Sequence, residues 1–331
     1  MMKLSVMLKV DSVIDAEGRS RIAERLLERW EHVPGSARFF RSSANFVYAF
    51  HRGGKRFFLR FADSAERSEA EIAAELALLQ WVASQGMSVA TPIASNSGEW
   101  METVDTDLGT FHAVVFAELP GSELEIDELS ATQFERWGVT LGNLHAVMRR
   151  YHGAEASVRR TWRDDLDMIR RFIPAGEQRV QTEYEFLAAW LAALPVTETN
   201  YGLIHGDFEL DNLFWQDETV AMLDFDDCSS NWFAADVAYA LRDLFVAGVD
   251  LSDPSLRAFI RGYARHSELD EESVSQLPTW LRLVNLTVYA KLMRAMDLDA
   301  EQAYPDWCIA AQSNLERWVS NYKASLLAIP A

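Results

Sequence analysis

The chain has 331 residues, of which 49% are hydrophobic and 24% charged, and its formal net charge is −19. This length and composition predict a sizeable core and two domains or lobes. The acidic balance opposes binding to nucleic acid or anionic lipid and favours cationic ligands. Two cysteines, Cys228 and Cys308, are too few for a disulfide framework in so large a chain, so we expect reduced thiols and a cytoplasmic protein.

No segment predicts export or membrane insertion. The first nine residues are weakly apolar, contain lysines and lack a small-residue cleavage site, which argues against a signal peptide. No run approaches the roughly 18 uninterrupted apolar residues that a membrane-spanning helix needs. The expected partners include neither a membrane nor a nucleic acid, and both a monomer and a homodimer stay open.

The first third of the chain combines helical and β-like patterns. Apolar residues at helical spacing predict helices at 15–33 and 64–85, the second with Ser64 as its N-cap and Gly86 at its end. Alternating patterns and turn residues predict strands at 37–40, 45–51, 56–61, 99–104 and 110–118. Together these elements predict a small sheet with one main helix, ending near residue 120.

After residue 120 the chain is mainly helical. Helical periodicity covers residues 130–150, 178–194, 234–247, 254–266, 277–297 and 304–327. The exception is a predicted hairpin, with strands at 213–215 and 220–223 joined by a polar turn. The change from strands to helices predicts an α+β fold with a domain boundary near 120.

The predicted hairpin lies beside the most informative polar residues of the chain. His205-Gly206-Asp207 is followed by Asn212, five residues after the aspartate, and by Asp224 at the end of the second hairpin strand. In phosphoryl transfer the protein mainly positions groups and supplies cations, because negative charge spreads over the transferred group. Carboxylate and amide oxygens suit Mg²⁺, which prefers oxygen ligands. The spacing therefore predicts a phosphoryl-transfer site, although a polar loop with capping residues is the simpler alternative.

The lobe order and these motifs resemble the aminoglycoside phosphotransferase and choline kinase family. That family carries His-Gly-Asp, an Asn five residues later and a strand that ends in Asp, whereas eukaryotic protein kinases usually carry His-Arg-Asp and Asp-Phe-Gly. Where eukaryotic protein kinases carry Asp-Phe-Gly, this chain has Asp224-Phe225-Asp226. The segments Asp-Val-Ala at 236–238 and Leu-Gly-Asn-Leu-His at 141–145 also match, so the resemblance covers residues from about 40 to 245.

The resemblance implies a two-lobed protein-kinase-like fold. Residues 1–120 would form a small β-rich nucleotide-binding lobe with a hinge near 116–121, and residues 121–331 a larger, mainly helical lobe for catalysis and acceptor binding. The implied reaction is direct in-line transfer of the γ-phosphoryl group of ATP to a hydroxyl group. Asp207 would act as the catalytic base, and Asn212 and Asp224 would bind Mg²⁺.

The resemblance also implies how the adenine ring is held. The run 114–121 looks like the hinge, where the backbone carbonyl of Ala117 and the backbone amide of Leu119 would hold the adenine edge. Phe116 would lie beside the ring. A plain buried edge strand is the alternative for this run.

The phosphate-binding residues depart from the family pattern at two places. Arg60 stands where the strand usually presents a lysine, and Glu75 stands at the position of its helical partner. An arginine still binds phosphates through its fork of donors, although a surface arginine on an alternating strand is the alternative. The loop at 40–47, which includes Ser43, contains no glycine where a glycine-rich turn is common. Ser hydroxyls and backbone amides would replace the glycine-rich turn there, unless the loop is an ordinary hairpin turn.

Two motif residues are expected to be structural. In the family, the histidine that corresponds to His205 more often bonds the loop backbone than takes part in the reaction. Asp236 is likewise expected to hold the catalytic loop.

The acceptor is expected to be a small molecule, and acidic residues near the motif favour a cationic one. These residues are Glu209, Asp211, Asp226 and Asp227. Aromatic side chains after the motif either line an acceptor pocket by stacking on a cation or belong to the core. They are Trp232, Phe233 and Tyr239.

Three classes of function stay open from the sequence. The first is a small-molecule kinase acting on an aminoglycoside, choline or another amino alcohol, homoserine or a sugar derivative. The second is a bacterial Ser/Thr protein kinase of the same fold. The third is a non-catalytic ATP-binding pseudokinase, which the intact Asp207, Asn212 and Asp224 argue against.

Overall fold

The computed structural model describes residues 1–153, 158–299 and 301–327. The chain divides into two structural units. Unit 1 holds Met1–Leu76, Ala90–Glu118 and the described part of Lys291–Ser320, and unit 2 holds the other described residues. The chain passes from unit 1 to unit 2 between Leu76 and Ala77 and again between Glu118 and Leu119, and the expected lobe boundary at residue 120 stays a prediction. The assignment of nucleotide binding and acceptor binding to separate lobes stays a prediction.

Unit 1 is built on a six-stranded antiparallel sheet in the order β1-β2-β3-β6-β4, with β5 also paired to β6. The strands are β1 (Arg38–Ser42), β2 (Phe46–Arg52), β3 (Lys55–Asp63), β4 (Pro92–Ile93), β5 (Glu102–Thr106) and β6 (Gly109–Ala117). Alternate residues of β2 and β3 are buried, which is the pattern expected when one face of a sheet covers a core. The central strand β3 carries Arg60 between β2 and β6.

The core of unit 1 is aromatic and is covered by short helices. Helices α1 (Leu4–Asp11) and α2 (Arg21–Leu27) precede the sheet and contribute buried residues to this core, whereas α3 (Glu69–Ser84) follows β3 and extends from unit 1 into unit 2. The rings of Phe46 and Phe61 stack at 5.1 Å between centroids, and Phe61 meets Phe111 edge-on at 5.6 Å. Such pairs add to the free energy gained by burying apolar area.

Most of the helices lie in unit 2. They are α4 (Ala131–Met148), α5 (Trp162–Phe172), α6 (Gln178–Ala193), α7 (Phe233–Ala240), α8 (Pro254–Tyr263), α9 (Glu271–Ser275), α10 (Leu277–Ala295) and α11 (Asp306–Leu327), the last two extending into unit 1. Helix α4 packs backbone to backbone on α8, because Gly138 and Gly142 present no side chain there. A Cβ atom at Gly138 would lie 1.9 Å from the carbonyl oxygen of Phe259, and one at Gly142 would lie 2.4 Å from that of Tyr263.

Two small sheets complete unit 2 and carry the polar motif. Strands β9 (Leu213–Gln216) and β10 (Thr219–Met222) form the predicted hairpin. Strands β7 (Arg160–Thr161), β8 (Tyr201–Ile204) and β11 (Ser229–Trp232) form a three-stranded sheet in the order β7-β11-β8. In this sheet β11 runs antiparallel to β8 and parallel to β7.

The start of the long helix of unit 1 was predicted wrongly. It begins at Glu69, not near Ser64, and Ser68 exchanges hydrogen bonds with Glu71 at its first turn. Residues before it form a turn on Asp63, whose carboxylate accepts from the amide of Ala65 at 2.9 Å. The predicted helix at 15–33 is confined to Arg21–Leu27, where Ser20 accepts from the amide of Ile22 at 3.2 Å.

Several elements were not predicted. They are α1, α5, α9, the short strand β4 and the three-stranded sheet. Cys228 and Cys308 are buried and unbridged, as expected. Across the described ranges, no helix is both long enough and apolar enough to cross a membrane.

Candidate active site

The loop His205-Gly206-Asp207 follows β8 directly and requires a glycine at its centre. Gly206 has φ +79°, a left-handed conformation that side chains disfavour. A Cβ atom at this position would lie 2.4 Å from the carbonyl oxygen of Asp227. The loop therefore packs closely on the segment that follows Asp224, and Asp207 is half-buried beyond it.

Asp236 holds this loop from helix α7. Its Oδ2 accepts from the amide of His205 at 2.7 Å, and its Oδ1 accepts from the amide of Gly206 at 2.8 Å. His145 Nε2 lies 2.8 Å from Oδ2, and both side chains are fully buried. Burial alone would raise the pKa of Asp236, but the hydrogen bond and charge of His145 lower it below its ordinary value. The prediction that Asp236 holds the loop at 205–207 is confirmed.

His205 is a structural residue of the loop, as expected. Its Nε2 lies 3.1 Å from the carbonyl oxygen of Leu223, and its ring packs on Phe225 at 4.5 Å between centroids. Burial lowers the pKa of His205, and the charges of Asp236 and Asp207 oppose this only in part. A neutral imidazole is the form that this site stabilises.

The hairpin brings Asn212 beside Asp224. Leu213 pairs with Met222, and the amide of Leu223 donates to the carbonyl oxygen of Asn212 at 3.0 Å. Asp224 then has φ +63°, a left-handed conformation that is uncommon for residues other than glycine and occurs at functional sites. The hairpin register thus sets the two proposed metal ligands at the same end of two paired strands.

Asn212 also contacts Asp207. Its Nδ2 donates to the backbone oxygen of Asp207 at 2.9 Å and to its Oδ2 at 3.0 Å. Because these bonds use the amide nitrogen, the Oδ1 of Asn212 is the atom suited to a cation. Asn212 is therefore connected to Asp207 through its side chain, and to Asp224 through the backbone bond from Leu223.

The donor chemistry of Asp207, Asn212 and Asp224 fits a hard divalent cation. An amide oxygen and a carboxylate are oxygen ligands, which Mg²⁺ combines with waters and substrate phosphates. No cluster of three His, Cys, Asp or Glu side chains in the described chain could hold a metal by itself. The residues fit a metal that binds together with a phosphate group, rather than a closed protein cage.

The predicted pair of Arg60 and Glu75 is present in unit 1. Arg60 Nη2 lies 2.8 Å from Glu75 Oε1, and the Glu75 side chain is fully buried. A second cation, Arg67, donates from Nη1 to Glu75 Oε2 at 3.1 Å. The guanidinium of Arg60 also lies 4.8 Å from the ring centroid of Phe116. A buried arginine paired in this way is not the alternating surface arginine considered as the alternative.

The other nucleotide-side residues have ordinary backbone roles in the structure. Ser43 is exposed between β1 and β2, where its carbonyl oxygen accepts from the amide of Met2 at 2.8 Å. Phe116 pairs with Phe58 on one side and Pro92 on the other. The amide of Ala117 donates to Thr91 at 3.4 Å, and β6 ends there, two residues before Leu119. Their nucleotide-binding roles stay predictions.

Two ion pairs near the catalytic loop were not predicted. Glu209 pairs with Arg242, and Asp227 accepts from Arg160 Nη2 at 2.8 Å. Burial and then the charge of Asp207 raise the pKa of Glu209 to about 8, while Arg242 opposes the shift. The partners are 33 and 67 residues apart in sequence, and a single sequence carries no signal for such pairs.

Two of the three candidate acceptor aromatics belong to the core. Trp232 is 3% exposed and packs on Tyr201 at 5.1 Å, at the end of β11 away from Asp227. Phe233 is 1% exposed and stacks on His145 at 4.5 Å. Tyr239 is half-buried.

The fold and these motifs define a kinase-like phosphotransferase. Residues 36–275 match the sequence profile described as the phosphotransferase enzyme family, and the chain belongs to this family. The expected kinase-like α+β fold and the expected enzyme class are confirmed.

The relatives include small-molecule kinases. Amicoumacin kinase of Bacillus subtilis is 28% identical over 281 residues, which cover 82% of this chain and 84% of that protein. Homoserine kinase of Azorhizobium caulinodans is 27% identical over 221 residues, covering 62% of this chain and 64% of that protein.

Solved structures share the fold. An amicoumacin kinase in complex with AMP-PNP, Ca²⁺ and Ami superposes with a TM-score of 0.78 at 22% identity, covering 96% of both chains. A microcompartment-associated aminopropanol kinase superposes with a TM-score of 0.73 at 22% identity, covering 92% of this chain and 95% of that chain.

Proposed function

We propose that this protein is an ATP- and Mg²⁺-dependent phosphotransferase that transfers the γ-phosphoryl group to a hydroxyl of a small, amine-bearing molecule. The observation that carries the proposal is the connected group of Asp207, Asn212 and Asp224. A base, an amide oxygen and a carboxylate held within one loop and one hairpin are the parts that phosphoryl transfer requires.

Each residue of this group has a separate role. Asp207 accepts a hydrogen bond from the acceptor hydroxyl, orients it for in-line attack and takes its proton late. Asn212 keeps Asp207 in place through its Nδ2 while its Oδ1 and the Asp224 carboxylate bind the cation. Bound Mg²⁺ would neutralise negative charge on the phosphates of ATP.

The nucleotide side is proposed from unit 1. Arg60, held by Glu75, would donate to phosphate oxygens, and Arg67 holds the second carboxylate oxygen of Glu75. Backbone groups of Ala117 and Leu119 would hold the adenine edge beside Phe116, and Ser43 would contribute to the phosphate loop. The AMP-PNP and Ca²⁺ of the similar kinase complex support a nucleotide and a divalent cation as cofactors.

The charges near Asp207 support a cationic acceptor. The negative charge of Asp207 helps to raise the pKa of Glu209. Asp243 adds a further negative charge beside Arg242. A pKa of about 8 leaves Glu209 largely protonated at neutral pH, so the carboxylates that act on the Arg242 guanidinium there are Asp207 and Asp243. Two carboxylates beside one guanidinium favour an additional cation. Aminopropanol and homoserine, which name two similar kinases, each carry an amine and a hydroxyl.

The test is ADP release from MgATP across a panel of acceptors. The panel contains aminopropanol, ethanolamine, choline, homoserine, an aminoglycoside and a generic protein substrate. The chain is compared with Asp207→Ala and with Asp217→Asn, a matched change at the exposed hairpin turn. We expect acceptor-dependent turnover that falls by about 10³-fold in Asp207→Ala and is unchanged in Asp217→Asn.

Other outcomes overturn the proposal in distinguishable ways. Turnover with the protein substrate alone indicates a protein kinase. MgATP binding without turnover for any acceptor indicates a non-catalytic nucleotide-binding protein. Equal turnover in the wild type and Asp207→Ala excludes Asp207 as the base.

A further inference from the structure

Two consecutive arginines contact the turn that follows Asp224. Strand β7 pairs in parallel with β11, so residues 159–161 run beside the chain after Asp227. Arg159 Nη1 donates to the carbonyl oxygen of Phe225 at 3.3 Å, and Arg160 Nη2 donates to Asp227 Oδ1 at 2.8 Å. The same Phe225 oxygen accepts from the amide of Cys228 at 3.2 Å, which closes the turn.

The two arginines differ in their charge partners. Arg160 has carboxylate partners in Asp227 and Asp165. Arg159 is only 8% exposed, and its Nε and Nη2 are buried without a hydrogen-bond partner among the residues that the structure describes. A buried guanidinium without a carboxylate partner destabilises a fold, because the free energy lost with its hydration is not recovered from an ion pair. Among the described residues, the Arg159 side chain makes one hydrogen bond, to the carbonyl oxygen of Phe225.

The position of that bond points to the reason for the buried charge. Phe225 directly follows Asp224, whose φ of +63° is strained for an aspartate and needs support from its surroundings. The Phe225 ring also packs on His205, at 4.5 Å between ring centroids. Arg159 adds to this support by donating to the Phe225 carbonyl, which belongs to the Phe225–Asp226 peptide, one residue beyond Asp224.

We propose that Arg159 is a positioning residue for Asp224, retained for divalent-cation binding at the expense of stability. The inference rests on the proposed function, in which Asp224 binds the cation. Groups that orient a metal ligand from behind typically change metal affinity by about 10- to 100-fold when they are removed.

This role predicts effects of opposite sign on stability and on metal binding. Arg159→Met removes the charge and the donor but keeps a long side chain. The variant should melt at the same or a higher temperature than the wild type, because a buried unpaired charge is gone. The Mg²⁺ concentration that half-maximally tightens AMP-PNP binding should rise about tenfold or more. AMP-PNP affinity without Mg²⁺ should not change.

The experiment is calorimetric titration of the full chain with AMP-PNP at a series of MgCl₂ concentrations, together with thermal melting. Arg159→Lys keeps the charge and one donor, so it should lie between the wild type and Arg159→Met in Mg²⁺ dependence. Asp224→Ala should lose the Mg²⁺ effect entirely. Arg163→Gln, an exposed arginine on the neighbouring helix α5, should match the wild type in every measurement.

The outcomes separate this inference from the proposed function. A wild type that binds AMP-PNP equally with and without Mg²⁺ contradicts both. A wild type with the Mg²⁺ effect and an Arg159→Met variant that keeps it contradict the positioning role alone. An Arg159→Met variant that unfolds, or that loses AMP-PNP affinity without Mg²⁺ as well, makes Arg159 an ordinary structural residue.

Discussion

Asp236 and His145 form a fully buried pair, with His145 Nε2 2.8 Å from Asp236 Oδ2. The same carboxylate accepts the backbone amides of His205 and Gly206, so one side chain of α7 fixes the loop that presents Asp207. Tyr263 lies 2.7 Å from the other ring nitrogen of His145. The catalytic loop is therefore held through a chain of buried polar contacts that reaches helix α8.

Asp236→Asn should strongly destabilise the protein and lower turnover. The substitution removes the negative charge and turns one oxygen into an NH₂ group that faces N–H donors. Breaking such a buried, hydrogen-bonded network should lower the free energy of unfolding by about 3–5 kcal/mol. Denaturant unfolding measures the change, and Asp127→Asn, at an exposed site, is the control. A loss below about 1 kcal/mol would contradict the anchoring role.

His205 should make the protein less stable as the pH falls below 6.5. Its pKa in the folded state is lowered from the ordinary 6.5 by burial, so the unfolded chain binds the proton more readily. The stabilisation is therefore complete above pH 6.5 and is lost as the pH falls through the lowered folded-state value. Denaturant unfolding between pH 8 and pH 5 measures the slope. The His205→Gln variant should lose the part of this pH dependence that comes from His205. It should keep the part that comes from His112, because burial lowers the pKa of His112 as well. An identical slope in the variant would show that His205 does not titrate this way.

Glu75→Gln should weaken the use of ATP. The variant leaves the cations Arg60 and Arg67 facing a neutral amide at a fully buried position. We expect the KM for ATP to rise about tenfold, which corresponds to about 1.4 kcal/mol, and stability to fall by about 3 kcal/mol. Steady-state kinetics with varied ATP measure the first effect. Glu69→Gln, exposed on the same helix, is the matched control, and an unchanged KM in Glu75→Gln would exclude the pair from the phosphate site.

Glu209→Gln should affect the acceptor more than the nucleotide. Because the pKa of Glu209 is about 8, at pH 9 the substitution removes a carboxylate beside Arg242 and leaves that guanidinium to oppose a cationic acceptor. We expect the KM for an amine-bearing acceptor to rise about tenfold while the KM for ATP changes less than twofold. A neutral hydroxyl compound serves as the comparison acceptor, since its KM should be insensitive to the charge. Equal effects on both acceptors would indicate a structural role.

The sequence predicted the parts of the site that lie close together in the chain. Asp207, Asn212 and Asp224 fall within one loop and one hairpin, and the apolar pattern of the hairpin strands determined their register. The pair of Arg60 and Glu75 came from the family pattern, which was needed because strand and helix positions say nothing about their contact. Arg159 and Arg242 were missed because they meet the loop only through tertiary folding.

The secondary-structure elements that were predicted wrongly or missed have local physical explanations. The predicted N-cap, Ser64, lies in a turn on Asp63, and Ser68 exchanges hydrogen bonds with Glu71 at the first turn of α3 instead. Strands β7, β8 and β11 have two to four residues each, too short to show an alternating pattern. Their pairing brings together segments that lie far apart in the sequence.

Gly138→Ala should destabilise unit 2 more than any comparable surface change. The added methyl group would lie 1.9 Å from the carbonyl oxygen of Phe259, so α4 and α8 must move apart along their contact. Because the clash is with backbone atoms, no flexible side chain can move aside to relieve it. We expect the free energy of unfolding to fall by about 3 kcal/mol or more. Gly176→Ala is the matched control, because no atom lies within 4 Å of a Cβ there, and it should change stability by less than about 0.5 kcal/mol. Urea unfolding of both variants measures the difference. Because α4 carries His145, the Gly138 variant should also lose turnover through the contact with Asp236, whereas equal stability of the two variants would show that the helices have room to separate.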